Sequence, residues 1–461
     1  MVRPVLSRFF AEYGMVLVLL ALCGYYSVVT YAEQDPGGAA GGEQLAREVG
    51  RRARPGASVL IVARDTQDDA TFAETLRHGL TEAGLRVVGV VKGQPADARA
   101  ALQRLADAGE KLDLIAAHRT AADWAVLRNA GTLFPGLGPV PVVTPQPYSW
   151  PNFLKADNLL NVANQIVVIA VVAVGMTLVV ITGGIDLSVG SLIALSAVVA
   201  TWLIREVAGA ETASPAGMVA SCLGGIAVCT VVGLFSAAMV TVFRIPPFIV
   251  TLSTMLVASG LAFMISENQS IYQLPDSFVR LGRGADLLGV PNAVLVMVVL
   301  YAAAHVVMTR MTLGRYIYAV GGNAEAARLS GVPVRSVLLF AYATSGALAG
   351  LGGVIMASQL KSGSPTYGQM YELYVIAAVV VGGTSLAGGE GNVLGTLIGA
   401  FVIAVIQNGM NLTGVESNRQ KVVLGLVILA AVLADTIKKG GWRWLRRRST
   451  HAGEVGKLPG A

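Results

Sequence analysis

Long apolar segments follow one another through most of this chain, and this succession constrains its fold more than any other feature. A helix needs about 20 mainly apolar residues to cross a bilayer. Because 54% of the 461 residues are hydrophobic and only 13% are charged, the sequence predicts a polytopic α-helical membrane protein with about ten transmembrane helices. The predicted spans are residues 13–32, 160–182, 188–205, 218–243, 248–265, 293–309, 337–359, 373–385, 393–411 and 422–437.

The composition limits the chemistry that such a chain can perform. Its 54 glycines suit the close approach of helices in lipid. No P-loop pattern occurs, so energy from ATP would have to come from a partner chain. Cys23, Cys222 and Cys229 lie inside apolar segments and predict no disulfide, metal or redox site. We therefore expect a membrane protein without catalytic residues, metal or cofactor, and not an enzyme.

The net charge of +6 comes largely from the C-terminal tail, residues 438–461, which contains KKGGWRWLRRR. A basic run beside a terminal apolar span more often anchors the chain to anionic lipid than it binds nucleic acid. Trp442 and Trp444 fit the same membrane interface. The tail is therefore predicted to be cytoplasmic, and we expect no nucleic-acid partner.

A soluble region separates the first apolar span from the others. Residues 33–57 begin with the glycine-rich run EQDPGGAAGGE and are predicted to be a flexible linker. Strands and helices then alternate with short connections, which indicates a parallel sheet covered by helices over residues 58–150. The predicted strands are 58–63, 85–91, 112–116 and 140–144, and the predicted helices are 70–83, 96–108 and 121–130.

The first segment, residues 1–32, orients the chain. Arg3 and Arg8 precede the apolar run and favour a cytoplasmic N-terminus, which places the soluble region outside the cytoplasm. Thr30-Tyr31-Ala32 resembles a weak signal-peptide cleavage site, although the run is long enough to span a bilayer. Whether this span is cleaved stays open.

A polar island, residues 310–335, interrupts the apolar spans of the second half. Gly321 and Gly322 are predicted to end the preceding run, and Asn323 to cap a short helix. Surrounding arginines predict a cytoplasmic position. An ordinary solvated loop is the alternative. The helix would carry an acid in its first turn and a base near its end, and would stop at a glycine: Glu325, Arg328 and Gly331.

A second interruption lies in the run after residue 176, where Gly183, Asp186, Ser188 and Gly190 break an apolar segment. Broken helices are tolerated in membranes where protein or water satisfies the backbone. Asp186 is therefore either a helix cap or a polar group beside the transport pathway. Residues 180–194 also resemble residues 380–400, which include Gly382 and Gly383. This internal repeat predicts two parallel-related halves.

Four stretches resemble one known family closely: LGRYIYAVGGNAEAARLSGV in the polar island, MTLVVITGGIDLSVGS at 176–191, AAVVVGGTSLAGGEG at 377–391 and GTLIGA at 395–400. They resemble the ribose/galactose/xylose-type permeases of ABC importers, over about residues 158–435 and the first span. The resemblance implies that residues 151–437 form the permease domain, and that the island, with Gly314 and Arg315, couples to a separate ATPase.

The same resemblance implies further partners and a location. They are a second copy of the chain in a homodimer, an extracytoplasmic sugar-binding protein and a small polar substrate, in the inner membrane of a bacterium with both termini cytoplasmic. More weakly, residues 58–145 resemble one lobe of a periplasmic sugar-binding protein, through LDLIAAH and GPVPVVTP. Such proteins close two lobes on a sugar, and only one is predicted here.

Three other functions remain open from the sequence. An ion-coupled secondary transporter would need a buried carboxylate, for which Asp186 is the candidate. A membrane-bound sensor would need a cytoplasmic output domain, and the tail after residue 437 is short for one. An ABC permease for a non-sugar solute, such as a nucleoside, also fits. Polar residues within spans could contact substrate or simply join helices: Asn164, Gln165, Thr177, Thr182, Ser253, Thr254, Asn408 and Asn411.

Overall fold

The computed structural model of this protein describes residues 2–287 and 289–440. The chain forms two compact units, one of residues Tyr31–Asn152 and one of the residues up to Thr30 together with those from Phe153 onward. The first unit is called the α/β unit below, and the second the helical unit. Beyond Gly440, the predicted basic tail lies outside the described residues.

The α/β unit contains a four-stranded parallel sheet in the order β3-β2-β4-β5, which confirms the predicted sheet. Its centre is the strand SVLIVAR, whose side chains are almost all buried because helices cover both faces. After α1 (Val2–Val29), the elements are β1 (Tyr31–Gln34), α2 (Gly38–Arg52), β2 (Ser58–Arg64), α3 (Gln67–Glu82), β3 (Arg86–Gly93), α4 (Pro95–Asp107), β4 (Leu114–Ala117), α5 (Arg119–Ala122), α6 (Ala125–Arg128), α7 (Ala130–Leu133), β5 (Val142–Val143) and β6 (Tyr148–Pro151).

The prediction of a flexible linker at residues 33–57 is wrong. Most of it forms the 15-residue helix α2, which buries Leu45 and Val49 in one core with α3. A Cβ placed on Gly42 would lie 2.6 Å from the backbone oxygen of Phe72. The glycines therefore let two helices approach closely, and α2 belongs to the folded α/β unit.

Two further features of the α/β unit differ from the prediction. The single helix predicted at 121–130 is divided into the short helices α5, α6 and α7. An antiparallel pair, β1 with β6, joins the two ends of the unit, with Tyr31 opposite Pro151. Gln34 strengthens this pair because its amide donates to the backbone oxygen of Trp150 at 3.1 Å.

The helical unit contains twelve further helices within the described residues, and the predicted polytopic helical architecture is confirmed. Seven are long and apolar enough to cross a membrane, and the shorter apolar helices cover Gly14–Val29 and Tyr371–Val381. The helices are α8 (Ala156–Ile181), α9 (Val189–Glu206), α10 (Pro215–Val242), α11 (Pro247–Ile265), α12 (Arg280–Arg283), α13 (Asn292–Arg310), α14 (Thr312–Gly322), α15 (Ala324–Leu329), α16 (Val334–Leu360), α17 (Tyr371–Val381), α18 (Val393–Leu412) and α19 (Ser417–Gly440).

Helix α8 lies at the centre of the helical unit, with 89% of its most apolar window buried. Helix α16 packs against it and against α9 and α10 through glycines. A Cβ on Gly346 would lie 2.3 Å from the backbone oxygen of Cys229 in α10. A Cβ on Gly353 would lie 2.3 Å from the backbone oxygen of Ile193 in α9. In lipid the hydrophobic effect does not drive helices together, so their association depends on close packing, which small residues allow.

The predicted span at 373–385 is shorter than expected. Helix α17 has 11 residues, or about 16 Å at 1.5 Å per residue, which is about half of a bilayer core. It ends at Val381 because the following Gly382 and Gly383 leave the helix, and Gly383 has φ +88°. A half-length helix of this kind leaves irregular backbone at both of its ends.

Candidate functional site

The short helix α15 has the cap that the sequence predicts. The Asn323 side chain accepts a hydrogen bond from the Ala326 amide at 2.9 Å. Gly331 follows the helix with φ +84°, a conformation that favours glycine. Glu325 and Arg328 lie exposed and pair with each other, with 3.1 Å between Glu325 Oε2 and Arg328 Nε. This hydrogen bond holds the pKa of the Glu325 carboxyl below its usual range.

Leu329, the last residue of α15, is a residue that the sequence reasoning missed. Its side chain is 76% exposed, beside the exposed charges of the same helix. Single exposed apolar residues are common on protein surfaces, so the interest of Leu329 comes from its position on the exposed helix α15. The signal was present in the sequence, as a leucine at the end of an otherwise small and polar helix.

Helix α14 leads into α15 and is anchored by the helical unit. Gly314 lies at its start, where a Cβ would be 2.5 Å from the Met308 oxygen. Ile317 is buried, whereas Arg315 is exposed and donates to Thr312. Gly321 and Gly322 form the last turn of α14, which ends at Gly322 as predicted, and Asn323 then caps α15.

Three sequence motifs that are far apart in the chain meet beside α14. The Gly389 amide donates to the Ile181 oxygen at 2.8 Å. A Cβ on Gly321 would lie 1.7 Å from that same oxygen, and one on Gly388 would lie 3.1 Å from the Gly183 Cα. Tyr318 adds a hydrogen bond to the Gly391 oxygen at 2.8 Å. The end of α8, the 382–391 loop and the end of α14 thus form one packed junction.

The predicted repeat has the same geometry at the two helix ends. Gly183 has φ +82° and Gly383 has φ +88°. In each case the glycine and the next residue donate to carbonyl oxygens of the last helical turn, in the hydrogen-bond pattern of a Schellman cap. A Cβ on Gly382 would lie 2.5 Å from the Gly395 oxygen. Glycine is therefore required at these positions by conformation or by packing.

Asp186, Ser188 and Gly190 are buried in the helical unit. Asp186 is 1% exposed. It accepts three hydrogen bonds, from the Ser188 amide at 3.0 Å, from the Ser188 hydroxyl at 2.6 Å and from the Ser345 hydroxyl at 2.7 Å. It therefore holds the start of α9 and also ties it to α16. Gly190 packs beside Glu372 of α17.

Several polar side chains within spans join helices to one another. Asn158 and Asn408 exchange two hydrogen bonds, at 3.0 and 2.9 Å, between α8 and α18. Thr177 bonds Thr396 at 2.8 Å. Such pairs give these polar side chains a role in joining the helices.

The α/β unit has a polar cluster of its own, at the carboxyl ends of β2 and β4. Asp69 is completely buried and accepts a hydrogen bond from Arg64 Nε at 2.7 Å. Its other oxygen lies 3.8 Å from Nδ1 of the buried His118. These contacts connect the end of β2 to α3. Among the described residues, no group of three His, Cys, Asp or Glu side chains could hold a metal ion.

Comparisons with known proteins identify the family. Residues 158–432 match the family described as "Branched-chain amino acid transport system / permease component". The chain belongs to this permease family. The ribose import permease protein RbsC of Escherichia coli K12 is 43% identical over 63% of this chain and 88% of its own length. Its Bacillus subtilis counterpart is 41% identical over 62% of this chain and 87% of its own.

A third relative of this permease is the D-allose transport system permease protein AlsC of Escherichia coli K12. It is 34% identical over 62% of this chain and 85% of its own length. No solved structure was found to match the chain. The resemblance described from the sequence is thus confirmed, and the protein is the multi-pass membrane component of an ABC transport system. Its α/β unit lies outside the matched residues 158–432.

Proposed function

We propose that this permease imports a monosaccharide, with an ATPase subunit docked on α15 and a sugar-binding protein delivering the solute from outside. The names of the relatives, which cite ribose and allose, support a sugar of this kind. A non-sugar solute such as a nucleoside is the competing assignment. Among the solutes to be tested, ribose is the first choice.

The exposed surface of α15 is the observation that carries this proposal. Asn323 caps the helix, and of its six residues only Ala327 is buried. Glu325, Arg328 and Leu329 therefore project away from the helical unit. Arginines on either side favour the cytoplasmic face. A rigid, exposed helix fixed to the junction of α8, α14 and the 382–391 loop can transmit a movement of the ATPase to the spans.

The proposal includes an arrangement of the chain in the membrane. Two copies form a homodimer, and about ten apolar helices per copy cross the membrane. Both termini are cytoplasmic, and the α/β unit is extracytoplasmic. The seven long helices, the two shorter apolar helices and α19 supply the necessary elements. In this arrangement the two halves related by the repeat lie on either side of the α14–α15 segment.

The docking surface can be tested in the complex with its ATPase reconstituted in liposomes. Leu329→Ala removes the exposed apolar contact, and we expect co-purification of the ATPase to fall about tenfold, because burial of a leucine side chain in an interface contributes about 1.5–3 kcal/mol. Glu325→Ala, Arg328→Ala and Gly331→Val should uncouple ATP hydrolysis from uptake while the permease stays in the membrane. The measurements are ATPase recovery and ribose taken up per ATP hydrolysed.

Leu360→Ala is the matched control, because Leu360 is also an exposed leucine, 51% accessible, at the far end of α16 from α15. We expect it to keep the ATPase bound. Wild-type ATPase recovery and coupling in all four variants, three in α15 and one at Gly331 after it, would contradict the docking surface. Uptake of ribose without any ATPase would instead favour an ion-coupled transporter.

A further inference from the structure

A cavity of about 220 Å³ in the helical unit opens between the start of α9, the second half of α11 and the segment before α17. Polar groups line it from all three sides: Ser191 of α9, Ser259 of α11, and Thr366, Gln369 and Glu372 from the segment before α17 and its first turn. Phe263 and Tyr367 add aromatic surface.

The backbone beside the cavity is irregular. Between the end of α16 at Leu360 and the start of α17 at Tyr371, the chain is non-helical, although residues 362–365 are buried. Gly363 is held by a two-way backbone pairing with Ile271. Non-helical backbone is tolerated at membrane depth only where protein buries it or where it lines a water-filled space.

Glu372 lies at the inner edge of this cavity. A Cβ on Gly190 would be 2.2 Å from a carboxylate oxygen of Glu372 and 2.7 Å from the Gly368 oxygen, so only glycine allows the carboxylate to lie there. In the part of the chain that the structure describes, no side chain forms a hydrogen bond or ion pair with this carboxylate. Its hydrogen-bond partner is the Glu372 backbone amide, and its remaining lone pairs are available to accept hydrogen bonds from a ligand.

Glu372 lies in the first turn of the apolar helix α17. Ionisable groups within membrane-spanning segments face the interior of a bundle or a water-filled cavity. Gln369 and Thr366 are exposed on the wall of the same cavity. Such a wall has the polar groups that a passing polar solute requires.

From this geometry we infer that the cavity is a solute-contact site, and that Glu372 and Gln369 bind a neutral, polyhydroxylated molecule there as it crosses the membrane. The carboxylate accepts from two neighbouring hydroxyls, the amide both donates and accepts, and the aromatic rings cover the apolar face of a sugar ring. Mostly apolar walls with a few convergent polar groups are typical of small-molecule sites. This inference rests on the proposed import of a sugar.

The first test compares Glu372→Gln with wild type in the reconstituted complex, with D-ribose and its binding protein. Gln keeps the size of the side chain but replaces one acceptor oxygen by a donor. We expect D-ribose uptake to fall at least tenfold, with basal ATP hydrolysis and ATPase assembly unchanged. Gly190→Ala should lower uptake similarly, because the new methyl group would meet both the carboxylate and the Gly368 oxygen. Glu211→Gln, at an exposed loop carboxylate, is the matched control.

Uptake within twofold of wild type for both Glu372→Gln and Gly190→Ala would overturn the site. If the wild-type complex fails to take up D-ribose with ATP, the proposed sugar substrate is wrong. This result tests the substrate and not the site, because it does not involve the variants. If both variants lose ATPase assembly, cysteine labelling tests the site instead.

The second measurement uses single cysteines and a water-soluble maleimide. Ser259→Cys should react, and D-ribose at high concentration should slow its labelling. Val299→Cys is the control, because Val299 is 68% exposed on the apolar helix α13 and should stay unlabelled in the bilayer. Ser259→Cys that is as unreactive as Val299→Cys would overturn the water-lined site. Labelling that D-ribose does not slow would overturn its role in binding the solute.

Discussion

Asp186 is a buried carboxylate that lies two residues before Ser188, the N-cap residue of α9. It accepts hydrogen bonds from Ser188, at the start of α9, and from Ser345, which belongs to α16. The carboxylate therefore connects the break in the chain to a neighbouring helix. Among the described residues all of its partners are neutral, so hydroxyl and amide donors hold it there without an ion pair.

We expect Asp186→Asn to be mild and Asp186→Leu to be damaging. Asn keeps an acceptor for Ser188, and its amide can donate to the Ser345 hydroxyl, so the loss of stability should stay below about 1 kcal/mol. Leu leaves the Ser188 amide and two buried hydroxyls without this acceptor and should cost about 1–3 kcal/mol. Unfolding of the purified permease in detergent measures both effects.

Asp157→Leu is the control for Asp186→Leu, because Asp157 is an exposed carboxylate in the first turn of α8. Its effect on stability should be the smaller of the two. If Asp186→Asn alone abolished transport and altered its pH dependence, the carboxylate would be an ion-coupling group, and the structural interpretation would be wrong.

At the scale of elements, the junction of α8, α14 and the 382–391 loop depends on glycines that have no room for a side chain. Gly321 faces the Ile181 oxygen directly, whereas its neighbour Gly322 has no atom within 4 Å of the position of a Cβ. The two adjacent glycines lie in the last turn of the same helix. They provide a matched pair in which only the packing differs.

Gly321→Ala should therefore separate α14 from the end of α8 and weaken the connection between α15 and the spans. Overpacking of this kind costs about 1–3 kcal/mol, so we expect lower thermal stability and less uptake per ATP hydrolysed. Gly322→Ala should match wild type or be slightly more stable, because alanine favours the helix. Equal behaviour of the two variants in a thermal unfolding assay would contradict the tight junction.

At the scale of the whole molecule, the α/β unit is inserted at a point where the helical unit is already closed. The Phe153 amide donates to the Thr30 hydroxyl at 3.1 Å, so the two ends of the helical unit that flank the insertion are in contact. At the ends of the α/β unit, Tyr31 lies opposite Pro151 in the antiparallel pair of β1 and β6. The insertion can therefore be removed without a long connection.

We expect a variant that lacks Tyr31–Asn152, with Thr30 joined to Phe153 through a short Gly-Ser linker, to fold and to assemble with its ATPase. Uptake stimulated by the sugar-binding protein should fall, because we propose that the α/β unit helps to dock that protein or pairs with its copy in the dimer. Undiminished stimulation would contradict docking. Tight ribose binding by the isolated unit would contradict the view that a single lobe lacks a high-affinity cleft.

Features that depend on neighbouring residues were predictable from the sequence. The apolar spans, the Asn323 cap and the alternation of strands and helices all follow from periodicity and capping within about 20 residues. The strand Ser58–Arg64 and the helix Ala324–Leu329 lie close to their predicted positions for this reason. The four family-like stretches identified the permease in the same local way.

Features that depend on residues distant in the chain emerged only from the tertiary structure. A glycine-rich run has the same composition in a flexible linker and in a close helix contact. For α2, the position of Phe72 beside Gly42 shows that the run forms a helix contact. In the same way, Ser345 beside Asp186 and Ile181 beside Gly321 are separated from their partners by more than a hundred residues. Packing decides the environment of a glycine or a carboxylate, and a local sequence pattern does not identify a contact partner that is distant in the chain.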